Sequence, residues 1–245
     1  TNGSRSTVLG GSALFEAAGK VIDKGKKLAG HLLEAGEQDI EFAEGVFKVA
    51  GTDKSVTLKQ VAMAAFNPTR WPKGGFEGGL YENATYLGQK DTYPNGCHIC
   101  EVEIDPDTGA VQLDRYCVVD DVGTVMNPIG LKGQIHGGVA QGVGQILSEQ
   151  VVWDRESGQL LTASFLDYAM PRADTMCSME IKSNPVPTKF NPLGAKGAGE
   201  AGTVGAMPVV MNAVIDALAP LGVEDVAMPA TAHNVWRAIE RAKSR

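Results

Sequence analysis

One carboxylate, Glu200, stands inside the run LGAKGAGEAGT at residues 193–203, among small residues and four positions after Lys196. Backbone with few side chains lets a ligand come close, and N–H groups at such a loop attract anions. Partial burial would raise the pKa of the Glu200 carboxyl toward neutrality, where a general base works. A solvated glutamate on a surface loop is the other reading of the same residues. The run also spells GxGxxG at Gly197, Gly199 and Gly202, the string of a dinucleotide-binding fold. That fold needs a buried apolar strand leading into the glycines, and the lead-in here carries Pro187 and Pro192 with little strand character.

A second unusual segment is GQIHGGVAQGVGQ, residues 133–145, which places five glycines in a stretch of helical pattern. Each costs roughly 1 kcal/mol relative to alanine inside a helix, so the glycines need a reason. On a helix, Gln134, Gly138, Gln141 and Gln145 share one face, with Gly137 adjoining Gly138, and Ile135, Val139 and Ile146 form an apolar stripe beside it. Amide groups next to bare backbone suit a flat heterocycle with many hydrogen-bonding edges. Close crossing of two helices explains the glycines equally well. A third segment, TNGSRST at residues 1–7, precedes a long helical pattern. Gly3, Ser4, Arg5, Ser6 and Thr7 offer hydroxyls, N–H groups and a guanidinium at a helix start, the makings of a phosphate site. CHIC at Cys97–Cys100 imitates a metal motif, but residues three apart on a strand point to opposite faces and no second pair accompanies them.

The elements that must position these groups follow from periodicity. A helix is predicted from Ser12, as its cap, through Leu33, a hairpin over residues 40–49 around Glu44 and Gly45, and a second helix over Leu58–Phe66. Residues 67–95 are rich in Gly, Pro and Asn and read as a connection between two lobes, with the division set at residues 1–72 and 73–245. Beyond it come a strand bearing His98, Cys100, Val102 and Ile104 on one side, the turn DPDTG, and a returning strand over residues 111–120. The glycine-rich helix then runs from Pro128 to about Glu149, strands follow at residues 150–154 and 178–184, and helices close the chain at Pro208–Leu218 and from a Thr231 cap to Lys243. Helices and hairpins mix without regular alternation. The fold class is therefore α+β, with mixed sheets packed against helices.

With 245 residues, 43% hydrophobic and 21% charged, the chain can bury a core without staples. A net charge of −7 disfavours nucleic acid as a partner. Four irregularly spaced cysteines make no disulfide framework, which points to a reducing compartment, and no run is expected to supply the roughly 20 apolar residues of a membrane helix. Cytoplasmic placement without a membrane span is expected. A start at Thr1 directly before a glycine-serine loop reads as a piece of a longer chain.

Taken in order, TNGSRST, YPNGCHICEVEIDPDTG, GQIHGGVAQGVGQ and LGAKGAGEAGTVGAMP resemble the large subunit of the molybdenum hydroxylases, the xanthine dehydrogenase and aldehyde oxidase family that includes aerobic carbon monoxide dehydrogenase. The resemblance implies the cofactor-binding domain of xanthine dehydrogenase type. It implies that residues Gly3–Thr7, Gln134, Gly137, Gly138, Gln141, Lys196, Gly197, Ala198 and Gly199 bind molybdopterin in its cytosine dinucleotide form. It assigns to Glu200 the proton of a hydroxyl on molybdenum, with the metal held by the pterin dithiolene and by no protein ligand. It further implies an iron-sulfur small subunit carrying [2Fe-2S], an FAD-binding medium subunit, the remainder of the large subunit, and hydroxylation of a small aldehyde or N-heterocycle with water as oxygen source. Oxidation of carbon monoxide, a nucleotide-binding module on Gly197–Gly202, and a non-catalytic scaffold are the competing readings. Loops at residues 76–81 and 165–172 would tune the substrate.

Overall fold

The computed structural model describes residues 2–88 and 90–244, so Thr1 of the TNGSRST loop lies outside the described residues. The chain forms two compact units, one of residues Leu9–Gly88 and one of Thr1–Val8 with Gln89–Arg245. The division thus falls near residue 88 rather than the expected 72. The reason is packing: Trp71 and Leu80 lie against the smaller unit's core, and Phe76 is part of it.

In the smaller unit, helix α1 (Ser12–Leu33) packs with the antiparallel sheet β1 (Ile40–Ala43), β2 (Val46–Val49), β3 (Ser55–Thr57) and with α2 (Leu58–Ala65). The hairpin turns at Glu44 and Gly45, both at positive φ. Gly25 is needed where α1 meets the sheet, because a Cβ there would stand 2.5 Å from the Phe47 ring. Thr57 and Gln60 form a capping box on α2, and the Trp71 indole N–H donates to the carbonyls of Ala64 and Ala65 at the helix's far end. Ser12 is no cap: a π-helical turn over Ser6–Gly11 leads directly into α1, and Ser12 is buried within it.

The larger unit carries the chemistry-bearing segments. Strands β4 (Asn95–Ile104) and β5 (Val111–Asp121) pair antiparallel, with a register shift at Glu101/Val102, and β6 (Met179–Ser183) adds parallel to β5. Helices α3 (Pro128–Leu147), α4 (Ala201–Leu218) and α5 (Ala232–Lys243) complete the unit, which has one core of Tyr116, Val118, Ile135, Val139, Val210, Val214, Val235 and Ile239 among others. Asn127 caps α3 by accepting from Gly130 N at 2.9 Å, and Thr231 caps α5 as expected.

Three expectations change. No strand forms at residues 150–154; Trp153 makes an isolated bridge to Leu160 within a long irregular segment. Helix α4 starts at Ala201, seven residues before the anticipated Pro208, which sits inside the helix. Glycine-rich backbone is helical here because another helix must approach it, and the carbonyl that Pro208 leaves unbonded lies at exposed Val204, within reach of water. Thirdly, the 21 residues Ala201–Leu221 contain an 18-residue window of mean hydropathy 1.6, long and apolar enough by composition to cross a membrane, contrary to the sequence reading. In this fold the stripe Gly202, Ala206, Val210, Val214 and Leu218 is buried, and α4 packs on α3 and β4.

Candidate functional site

The C-terminal end of β5 anchors the site. Asp121 accepts backbone N–H groups from Gly123 at 2.8 Å and Val186 at 2.9 Å, and its other oxygen takes the Lys196 ammonium. Burial opposes ionisation, but Lys196 and the two N–H donors outweigh it and hold the Asp121 carboxyl at about 2. Next to it, Asp120 lies 3.4 Å from His98 Nε2, while His98 Nδ1 is 2.8 Å from the Tyr116 hydroxyl. This buried group supports α4 from below, since a Cβ on Gly205 would stand 2.4 Å from the His98 ring. The chain leaving β5 is then stitched to the loop before Glu200. Thr124 N donates to Gly194 O, Lys196 N donates to Val122 O, and the buried Asn191 side chain bonds both N and O of Ala195.

Helices α3 and α4 cross at glycines. A Cβ on Gly138 would lie 2.9 Å from Thr203 N, one on Gly142 would lie 2.6 Å from Ala206 Cβ, and one on Gly202 would lie 2.6 Å from Ile135 O. Thr203 adds hydrogen bonds to Gly138 O at 3.0 Å and Gln141 Oε1 at 3.3 Å. The expected bare face therefore divides. Gly138 serves the crossing, whereas Gly133 and Gly137 have nothing within 4 Å and supply the open backbone.

Glu200 occupies the N-cap of α4 without bonding its own helix by its side chain. Its Oε2 accepts from the Ser4 hydroxyl at 2.7 Å, across 196 residues of sequence. Gly3 and Ser4 both have positive φ, +60° and +55°. Gly197 and Gly199 form the seat for this turn, because a Cβ on either would stand 2.8 Å from Ser4 O or 3.0 Å from Ser4 Oγ. Gln134 Nε2 donates to Gly199 O at 2.8 Å, so α3's amide face touches the residue before Glu200. Each glycine of the GxGxxG string is thus occupied by packing within this chain. Glu200 itself is exposed, so the burial expected of it is absent from this chain's own surface.

Beside this junction lies a cavity of about 360 Å³, at the small end of the roughly 300–1,000 Å³ typical of ligand sites. Of the expected residues, Ser4, Ser6, Thr7, Gln134, Lys196, Ala198 and Gly199 line it. Gly3, Arg5, Gly137, Gly138, Gln141 and Gly197 do not, and neither does Glu200, which adjoins it through Ser4 and Gly199. Arg5 is exposed and its Nε donates to Asn2 O, while the Lys196 ammonium is committed to Asp121. The wall residues that sequence reading missed run from Val122 to Leu131, including Thr124, Met126 and Asn127. Their signal was the turn Asp121–Gly123 followed by an Asn-Pro helix start.

The donor set fits an anionic, heteroaromatic ligand. Hydroxyls of Ser6, Thr7 and Thr124 and the Gln134 amide stand beside apolar Val122, Met126 and Leu131, while the Ser4 proton is given to Glu200.

Residues 1–177 match the family model of the molybdopterin cofactor-binding domain. The chain is 37% identical over 241 residues to the carbon monoxide dehydrogenase large chain of Hydrogenophaga pseudoflava, covering 98% of this chain and 30% of that one. It is 39% identical over 240 residues to the nicotine 6-hydroxylase large subunit of Paenarthrobacter nicotinovorans, covering 97% of this chain and 29% of the relative. Among solved structures, quinoline 2-oxidoreductase from Pseudomonas putida 86 superposes with a TM-score of 0.89 at 37% identity, over 98% of this chain and 30% of that chain. The chain therefore spans about 30% of the length of these relatives. It belongs to the molybdopterin cofactor-binding domain family, in the form carried by the large subunits of molybdenum hydroxylases.

Proposed function

We propose that this chain is the cofactor-binding part of an enzyme that hydroxylates an aldehyde or N-heterocycle with water as the oxygen source, and that Glu200 is its general base. The observation that carries the reading is the convergence of three separated segments at one cavity: the loop at Ser4–Thr7, the α3 amide at Gln134, and the loop Lys196–Gly199 that ends in Glu200. When bound, the molybdopterin supplies the metal and the route for electrons. The chain's own residues hold and orient it. Ser6, Thr7 and the π-helical turn that carries them would hold its phosphates, with Gly3 turning the loop and exposed Arg5 placed to reach a second phosphate. The Gln134 amide would meet the pterin from the cavity wall, with Gln141 and the open backbone at Gly137 one step outside it, and Gly138 and Gly197 act by bringing α4 and Ser4 into place. Lys196 contributes its stem and backbone to the cavity wall. Ala198 and Gly199 keep that wall thin beside the Glu200 carboxylate.

Glu200 takes up a proton at its carboxylate during turnover. The side chain is exposed in this part, and in this reading its enclosure in the complete enzyme falls to the remainder of the large subunit. The cytosine dinucleotide form of the cofactor belongs to the same proposal, as do a [2Fe-2S] small subunit and an FAD-binding medium subunit; that other subunits exist is supported by relatives described as large chains or large subunits. So does a cytoplasmic location, supported by four unpaired thiols. Carbon monoxide oxidation is the second reading, favoured by the 37% identity to a carbon monoxide dehydrogenase large chain. Dye reduction by the complete enzyme with carbon monoxide or with N-heterocycles separates the two. In that enzyme, Glu200→Gln is expected to retain molybdenum and to lose roughly 10²- to 10⁴-fold in turnover, the range for a positioned base. Near-parental turnover removes Glu200 from the mechanism.

A further inference from the structure

Helices commonly use the N-cap side chain to bond their own first N–H groups. Glu200 sits at that position in α4, yet its carboxylate turns away and its Oε2 accepts from Ser4 Oγ at 2.7 Å. Ser4 reaches it from a φ of +55°, a conformation that side-chain-bearing residues rarely adopt. Such a conformation persists when the surroundings enforce it. Here they do: Ser4 rests on the bare backbone of Gly197 and Gly199, where a Cβ would come within 2.8 Å of its carbonyl or 3.0 Å of its hydroxyl. The peptide between Gly199 and Glu200 is held in turn by Gln134 Nε2 at 2.8 Å. Backbone strain, two side-chain-free positions and one amide thus combine to deliver a single hydroxyl to one carboxylate oxygen.

We propose that Ser4 is a positioning residue for Glu200: its hydroxyl, seated on Gly197 and Gly199, fixes Oε2 and leaves Oε1 as the oxygen that receives the proton. The inference rests on the reading of Glu200 as a base and goes beyond a cofactor-binding role for the Ser4 loop. Among the described residues, Ser4 is the hydrogen-bond partner of the Glu200 side chain. With that donor gone the carboxylate rotates more freely and its ionised form loses a hydrogen bond.

The test uses the complete enzyme with full-length large chain carrying Ser4→Gly, which relaxes the backbone, and Ser4→Ala, which retains its strain. Both variants are expected to keep the parental molybdenum-to-protein ratio and a KM within about twofold, while kcat falls about 10-fold, the low end for a hydrogen bond to a charged group. The acid limb of the kcat profile is expected to move up by about one pH unit. A readout independent of turnover is the infrared pH titration of the carboxyl band, with the Glu200→Gln spectrum subtracted; its midpoint moves with the limb. Unmoved limb and midpoint in both variants overturn the proposal, as does molybdenum loss in step with kcat or failure of both to assemble. Each of those outcomes makes Ser4 a cofactor ligand or scaffold residue. Near-parental turnover of Glu200→Gln alone would instead remove the base reading, so the two failures are told apart.

Discussion

At the residue scale, burial divides chemically similar groups. Cys97 is exposed on β4, while Cys100, three residues on and facing inward, has its thiol pushed up to about 12 by burial and then by the neighbouring Cys177 and Glu101 charges. The thiolate is the reactive form, so Cys100 is inert at neutral pH. Iodoacetamide at pH 8 is expected to label Cys97 within minutes and Cys100 at least about tenfold more slowly, as read by peptide mass spectrometry. Equal rates would mean that β4 does not hold the two thiols on opposite faces. That parity was legible in the sequence because a strand's period of two needs no tertiary information. The Ser4–Glu200 bond was not legible, since its partners are 196 residues apart and no local pattern joins a left-handed serine to a distant glutamate.

At the element scale, the same residue type does opposite work along α3. Gly137 faces open space, whereas Gly202 on α4 lies where a Cβ would stand 2.6 Å from Ile135 O and 3.0 Å from Val139 N. Backbone cannot yield as a flexible side chain does. Gly202→Ala should therefore destabilise the larger unit by about 1–3 kcal/mol, while Gly137→Ala should stabilise the cofactor-free chain by up to about 1 kcal/mol through helix propensity. Denaturant unfolding decides, and equal effects would mean that α3 and α4 do not cross closely. Composition announced that these glycines needed a reason, but choosing between a ligand face and a crossing required the partner helix. For the same reason α4 begins at Ala201: intrinsic propensity argues against the glycines, and packing against α3 overrides it. The tie between β5 and the Glu200 loop makes a second prediction. Asp121 titrates near 2 in the fold and near 3.8 as its ordinary value, so its stabilising contribution is complete above about pH 4 and is lost as pH falls toward 2. The difference corresponds to about 2 kcal/mol. Asp121→Asn should be less stable than the parent at pH 7, and the gap should shrink by about that amount between pH 4 and 2. A gap that stays constant with pH would show that the Lys196 pair does not form.

At the scale of the whole molecule, caps, turns and strand parity place most elements of both units, and the sequence order of four motifs carries the family. The division near residue 88 escaped that reading because Trp71, Phe76 and Leu80 lie in irregular chain without periodicity and join a core only through tertiary packing. The segment after α3 leaves a run of apolar side chains uncovered by this chain. It was expected to hold a strand, yet it is irregular and exposes Val151, Trp153, Leu161 and Met170, with Phe165 85% and Leu166 94% accessible. Soluble proteins rarely leave that much apolar surface along one segment uncovered. Covering Phe165 and Leu166 alone is worth about 1.5–3 kcal/mol per side chain. The net charge of −7 opposes association only through screened, long-range repulsion. The isolated 245-residue chain is therefore expected to self-associate at micromolar concentration and to bind a hydrophobic dye. Phe165→Ser with Leu166→Ser should reduce both, measured by sedimentation velocity and dye fluorescence, with unchanged far-ultraviolet circular dichroism because neither side chain belongs to either core. In a complete large subunit the same pair should instead lower stability wherever further chain covers the two side chains. A parental chain that stays monomeric and dye-free would mean that this segment folds back on its own unit in solution, and that its apolar residues need no further partner.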